Sequence, residues 1–143
     1  MNIISFLTKE FRTGNDIGLF LLRLVASMVL LYGHGFEKLM LAFSGQEIHF
    51  MNPIGIGATT SFYLSTFAES ICAILLAIGL FSRFATLVLT INFIVIFIFH
   101  AFIVGDGFSI LELRFFYLSS FIALTLLGPG KLSLDYIFFY QKR

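Results

Sequence analysis

The sequence predicts an all-α protein, a four-helix transmembrane bundle with both termini cytoplasmic. Its composition is the first reason: 59% of the residues are hydrophobic and only 12% charged, with a mean hydropathy of +0.99, far from the averages of soluble domains. The second is four continuous apolar runs, residues 17–40, 59–81, 84–104 and 109–127, each near the ~20 residues that cross a ~30 Å hydrocarbon core. Runs of this length are helical, because lipid offers unpaired peptide groups no partner and a barrel would alternate in segments about half as long. The third is charge placement. Outside the runs, Lys9, Arg12, Arg83, Lys131, Lys142 and Arg143 all fall on one side, which the positive-inside rule makes cytoplasmic.

Taken along the chain, residues 1–16 read as an interfacial segment. Ile3, Ile4, Leu7 and Phe11 share one helical face, with Lys9, Glu10 and Arg12 largely opposite, which suits a helix lying on the membrane. The apolar run after it is too long for a cleaved signal and lacks an A-x-A site, so it is expected to be retained. Residues 17–135 form the membrane domain. In its first span Arg23, Ser27, Leu30, His34 and Glu37 recur at steps of four, three, four and three, placing ionisable groups on one helix face. A charge at the bilayer centre costs about 2.5–3.5 kcal/mol, so this stripe is expected to face other helices.

In the second span Ser65, Ala68, Cys72 and Gly79 are spaced for tight helix packing, and Glu69 adds a carboxylate. The third carries Phe93, Phe97 and His100 on one face, and the fourth carries Glu112, Arg114 and Phe121. Gly128 and Pro129 stop the last span, and Ser133 with Asp135 can cap the next turn of chain. Asp135 is expected to pair with Arg83 or to reach toward Arg23, and these three form the structural charge set. Residues 136–143 read as a tail with aromatics at headgroup depth and cations in water.

Counting ~1.5 Å per residue, His34, His100 and Arg114 come out at similar heights, about 22–25 Å above the inner surface. Glu69 lies somewhat deeper, with Arg114 its closest cation in height. The expectation is an outer-half pocket lined by His34, Glu37, Glu69, His100 and Arg114, with Lys38 and Glu112 at its rim. A structural reading stands beside it: Glu69 with Arg114 as an ion pair fixing helix register, and His100 reaching up to water.

Several chemistries are excluded. A net charge of +1 offers no field for nucleic acid. Cys72 is the single cysteine, so neither an intramembrane dithiol nor a c-type haem attachment can form. No nucleotide-binding fingerprint occurs. His34 and Glu37 form a reversed H-x-x-E rather than the paired E-x-x-H units of di-iron bundles, and no metal centre is expected. A b-type haem between His34 and His100 is disfavoured for want of any further signal.

The chain resembles the DoxX family of small bacterial membrane proteins. The resemblance rests on Leu21-Leu22-Arg23-Leu24, His34-Gly35-Phe36-Glu37-Lys38-Leu39, Glu69, Gly79-Leu80-Phe81-Ser82-Arg83, and Gly128-Pro129-Gly130-Lys131-Leu132-Ser133-Leu134-Asp135. It implies a four-helix bundle in the bacterial cytoplasmic (inner) membrane, akin to the membrane subunit of a thiosulfate:quinone oxidoreductase, with relatives in redox and oxidative-stress complexes. Ser27, Cys72 and Ala73 stand where glycines are usual in such proteins, which bears on how closely helices approach there. Two functions are open to such a chain. One is a membrane subunit holding a quinone head group through His34 and Arg114, with electrons delivered by a partner redox protein. The other is a non-catalytic scaffold or small-ligand binder whose buried charges are structural. Either admits a homo-oligomer in the lipid bilayer.

Overall fold

The computed structural model describes residues 12–140. The amphipathic segment expected over residues 1–16 lies mostly outside them, as do Gln141, Lys142 and Arg143 of the tail. The described chain is helical, and four helices are long and apolar enough to cross a membrane: α1 (Gly14–Phe43), α2 (Ala58–Ile78), α3 (Ser82–Val104) and α4 (Phe108–Leu127). Tyr136–Tyr140 add a last short turn. The packed neighbours are α1 with α2, α2 with α3, α3 with α4, and α4 with the first half of α1. The four therefore close a ring in which α2 and α4 are diagonal. The half of α1 toward Phe43, by contrast, leans on α2.

Aromatic packing closes the α3–α4 seam. The Phe93 ring lies 5.1 Å from that of Tyr117 and 5.5 Å from that of Phe121, all three buried. Phe93 and Phe121 are thus core residues, whereas Phe97, on the same face as Phe93, is half-buried. Contacts of this kind add about 0.5–1.5 kcal/mol each beyond the area they bury.

The α-helical hydrogen-bond pattern loosens to wide π turns at Leu31–Gly35, Phe67–Cys72 and Phe99–Val104. A π turn inserts one residue and so rotates everything downstream by about 100° relative to an unbroken helix. In α1 the consequence is direct. Arg23, Ser27 and Leu30 are buried as the stripe requires, but past the π turn Gly35 is buried and Lys38 half-buried, while His34 and Glu37 are exposed. The single polar stripe expected from α-helical spacing is therefore split between two faces.

The end of the bundle that carries the termini is held by the segment after α4. Arg23, buried within α1, donates from Nη1 to the Pro129 carbonyl at 2.6 Å and from Nη2 to the Leu132 carbonyl at 2.5 Å. Gly79 lets that guanidinium in: its φ is +73°, and a Cβ there would stand 2.8 Å from Arg23 Nη1 and 2.7 Å from the Ser133 Cβ. Asp135 accepts hydrogen bonds from the Phe81 N–H at 2.7 Å and the Ser82 N–H at 2.8 Å, and so caps α3 from outside its own helix. Among the described residues Asp135 forms no ion pair within 4 Å with Arg83 or Arg23, although its charge lies near enough to act on the Arg23 guanidinium. A helix start has unsatisfied N–H groups that a carboxylate meets well, and backbone carbonyls already take the Arg23 guanidinium. The cap also holds Phe81 in the left-handed region, at φ +48°, a conformation uncommon for a bulky residue. Ser133 caps the last turn as expected, accepting from the Tyr136 N–H at 3.2 Å.

Candidate functional site

α1 and α2 meet most closely where their π turns face each other. The Ser70 hydroxyl donates to the Gly35 carbonyl at 2.6 Å, and a Cβ on Gly35 would collide with the Glu69 carbonyl. With the backbones this close, Lys38 reaches across from α1 into the bundle. Its Nζ donates to Glu69 Oε2 and to Ser65 Oγ, each at 2.8 Å. Ser65 Oγ donates to Glu69 Oε1 at 2.8 Å, and Asn92 Nδ2 on α3 donates to the same oxygen at 3.1 Å. Both carboxylate oxygens of a side chain 3% exposed are thereby satisfied, which is the condition under which a buried charge is tolerated.

Beside this cluster a groove of about 340 Å³ runs between α2 and α3, within the range of small-ligand sites. Leu64, Ala68, Val88, Ile91 and Val95 form apolar walls. Phe50, Met51, Pro53, Ile54 and Ile56 of the connection between α1 and α2 cover it. Ser65 and Asn92 bring the polar cluster into its lining, and His100 stands at its other edge. The Phe50 ring is 5.3 Å from Lys38 Nζ, near enough for a cation–π contact, and ties that cover to the cluster. Ser61, also in the lining, is buried with its hydroxyl unpaired, a rare condition in a native interior.

A second cluster occupies the turn between α3 and α4. His100 Nδ1 lies 2.5 Å from Asp106 Oδ2, and its Nε2 lies 3.4 Å from Arg114 Nη2. Arg114 also donates to the Ile110 carbonyl at 2.6 Å. The arrangement fits Nδ1–H donating to the carboxylate and Nε2 accepting from the guanidinium.

The residues expected to share one pocket thus fall into three places. Lys38 and Glu69 meet beside the groove, joined to its lining by Ser65 and Asn92; His100 and Arg114 meet at the α3–α4 turn, and of these two His100 reaches the groove; His34, Glu37 and Glu112 are exposed on the exterior. The cation on Glu69 is Lys38 rather than Arg114, because α2 and α4 are diagonal. Spacing alone did not single out Ser61, Ser65, Asn92 and Asp106 as site residues. Asn92 had a usable signal, being the lone amide side chain within an apolar span.

The DoxX family model matches residues 18–101, more than half of the chain. The chain belongs to the DoxX family. The match covers the π turn of α1, Lys38, Glu69 and Asn92, so the whole polar cluster lies inside the family domain, whereas Asp106 and Arg114 lie beyond its matched limit. No curated protein and no solved structure matches the chain.

Proposed function

We propose that this DoxX protein holds the ring of a lipophilic quinone in the α2–α3 groove and serves as the membrane subunit of a quinone-linked redox or oxidative-stress assembly. In this reading it sits in the bacterial cytoplasmic membrane with its termini inside, and an extracytoplasmic or membrane-bound redox protein supplies the electrons. The observation that carries it is an apolar groove ending in hydrogen-bond donors that are not fully used. The Asn92 amide, in the lining, has two N–H donors and spends one on Glu69, while Lys38, behind the lining at Ser65, spends two of its three. The unpaired Ser61 hydroxyl lies in the same lining. A ring carbonyl is the kind of acceptor such a wall suits, and the apolar walls suit the chain behind it.

When bound, a quinone supplies two-electron, two-proton carrier chemistry. The protein's part is to orient the ring through Asn92, to keep Asn92 and Lys38 in place through Glu69, and to exclude water with the 50–56 connection. Mass spectrometry of lipophilic molecules retained by the full chain in native-membrane nanodiscs tests the reading. A quinone is expected in the wild type and expected to be depleted in Asn92→Leu; its absence from the wild type overturns the proposal. A scaffold role is the second reading, favoured by the way Glu69 is already satisfied within the chain. It predicts that no quinone is retained and that Glu69→Ala chiefly lowers stability.

A further inference from the structure

The exterior of α1 carries polar groups where lipid should be. Counted at ~1.5 Å per residue from residue 17, His34 lies about 25 Å and Glu37 about 30 Å up a ~30 Å core, so the imidazole stands at lipid depth and the carboxylate at the edge of the hydrocarbon, and both are exposed. Neither belongs to any of the four ion pairs among the described residues. Around them the surface is otherwise apolar: Val29 is 51% exposed, Phe36 59% and Met40 60%. Gly33 lies within the same patch, and a Cβ placed there would meet nothing within 4 Å. An uncovered imidazole at lipid depth, with a carboxylate one turn above it at the edge of the hydrocarbon, is unfavourable, whereas an open glycine beside them lets another helix come close.

We propose that this face of α1 is the interface of a homodimer, in which His34 of each chain pairs with Glu37 of the partner subunit. The patch is self-complementary: it holds one group able to donate or carry positive charge and one carboxylate, a single helical turn apart. A two-fold axis along the membrane normal sets two α1 helices side by side at Gly33 and makes the pair twice, leaving neither group over. The π turn of α1 makes the arrangement available, since the same insertion that turns Lys38 inward turns His34 and Glu37 out. The groove opens between α2 and α3, so a partner on α1 leaves its mouth free.

Cysteine cross-linking and dimerisation measurements on the full chain in lipid vesicles test this. In a Cys72→Ala background, Gly33→Cys is expected to give a disulfide-linked dimer on mild oxidation, whereas Leu126→Cys, on a residue of α4 that is 76% exposed, is not. Val29→Cys substitutes if Gly33→Cys fails to fold. By fluorescence energy transfer, His34→Phe and Glu37→Gln are each expected to weaken dimerisation about tenfold, the loss of one hydrogen-bonded pair per chain. The exchange His34→Glu with Glu37→His is expected to restore it. Equal cross-linking at both positions, an exchange variant as weak as the single variants, or a wild-type chain that stays monomeric in native-membrane nanodiscs overturns the proposal.

Discussion

At the scale of single residues, Glu69 and Gly35 decide the site. Glu69 is held by donors from both neighbouring helices, so removing one partner leaves a charge that lipid and protein cannot solvate. Lys38→Ala is expected to lower stability by about 3–5 kcal/mol. Adding Glu69→Gln to that variant should recover part of the loss, because the amide no longer needs a counter-charge. Unfolding by denaturing detergent, compared across the single and double variants, checks both statements. Gly35 works by what it lacks. Gly35→Ala puts a methyl group into the Glu69 carbonyl, and parting the two backbones is expected to cost about 1–3 kcal/mol, read as a lower Tm. The importance of Lys38 could not be seen from the apparent stripe, in which it falls one residue off the polar face. Glu69 was legible as a buried carboxylate, though its partner was not.

At the scale of elements, the π turns do what the amino-acid spacing cannot announce. Nothing in the residue types of Leu31-Tyr32-Gly33-His34-Gly35 distinguishes a π turn from an α turn. The choice is made by the close contact of Gly35 with α2. If the turn is one inserted residue, deleting Tyr32, which is 90% exposed, should convert it to α-helix while keeping Gly35 and Lys38 facing α2. That deletion is therefore expected to destabilise less than Lys38→Ala, with the Lys38–Glu69 pair still visible in a structure of the variant. The cap on α3 obeys a similar logic. Ser133 and Asp135 were recognisable as capping residues, but that Asp135 caps a helix more than fifty residues away depends on where the chain returns.

At the scale of the whole molecule, hydrophobic runs and the distribution of basic residues describe a chain that crosses the membrane four times. The orientation expected from Arg83 and Lys131 places the connection between α1 and α2, residues 44–57, outside. A thiol probe that does not cross membranes should label Ser44→Cys or Asn52→Cys in intact cells, and label Lys131→Cys only after lysis, all in a Cys72→Ala background. The reverse pattern would invert the bundle and move the groove and its polar cluster to the cytoplasmic side.

Length and apolarity were enough to specify the number of spans and their boundaries to within a few residues, because the cost of unpaired peptide groups in hydrocarbon leaves a chain of this composition little choice but helices. Family motifs at the helix ends were equally visible, being short segments whose glycine, proline and charged residues serve local backbone needs. Helix rotation was not. It depends on where one extra residue is taken up in a π turn and on which helices become neighbours in the ring. These facts separated His34 from Lys38, gave Glu69 its lysine, and opened the groove between α2 and α3; each is settled by contacts between distant segments.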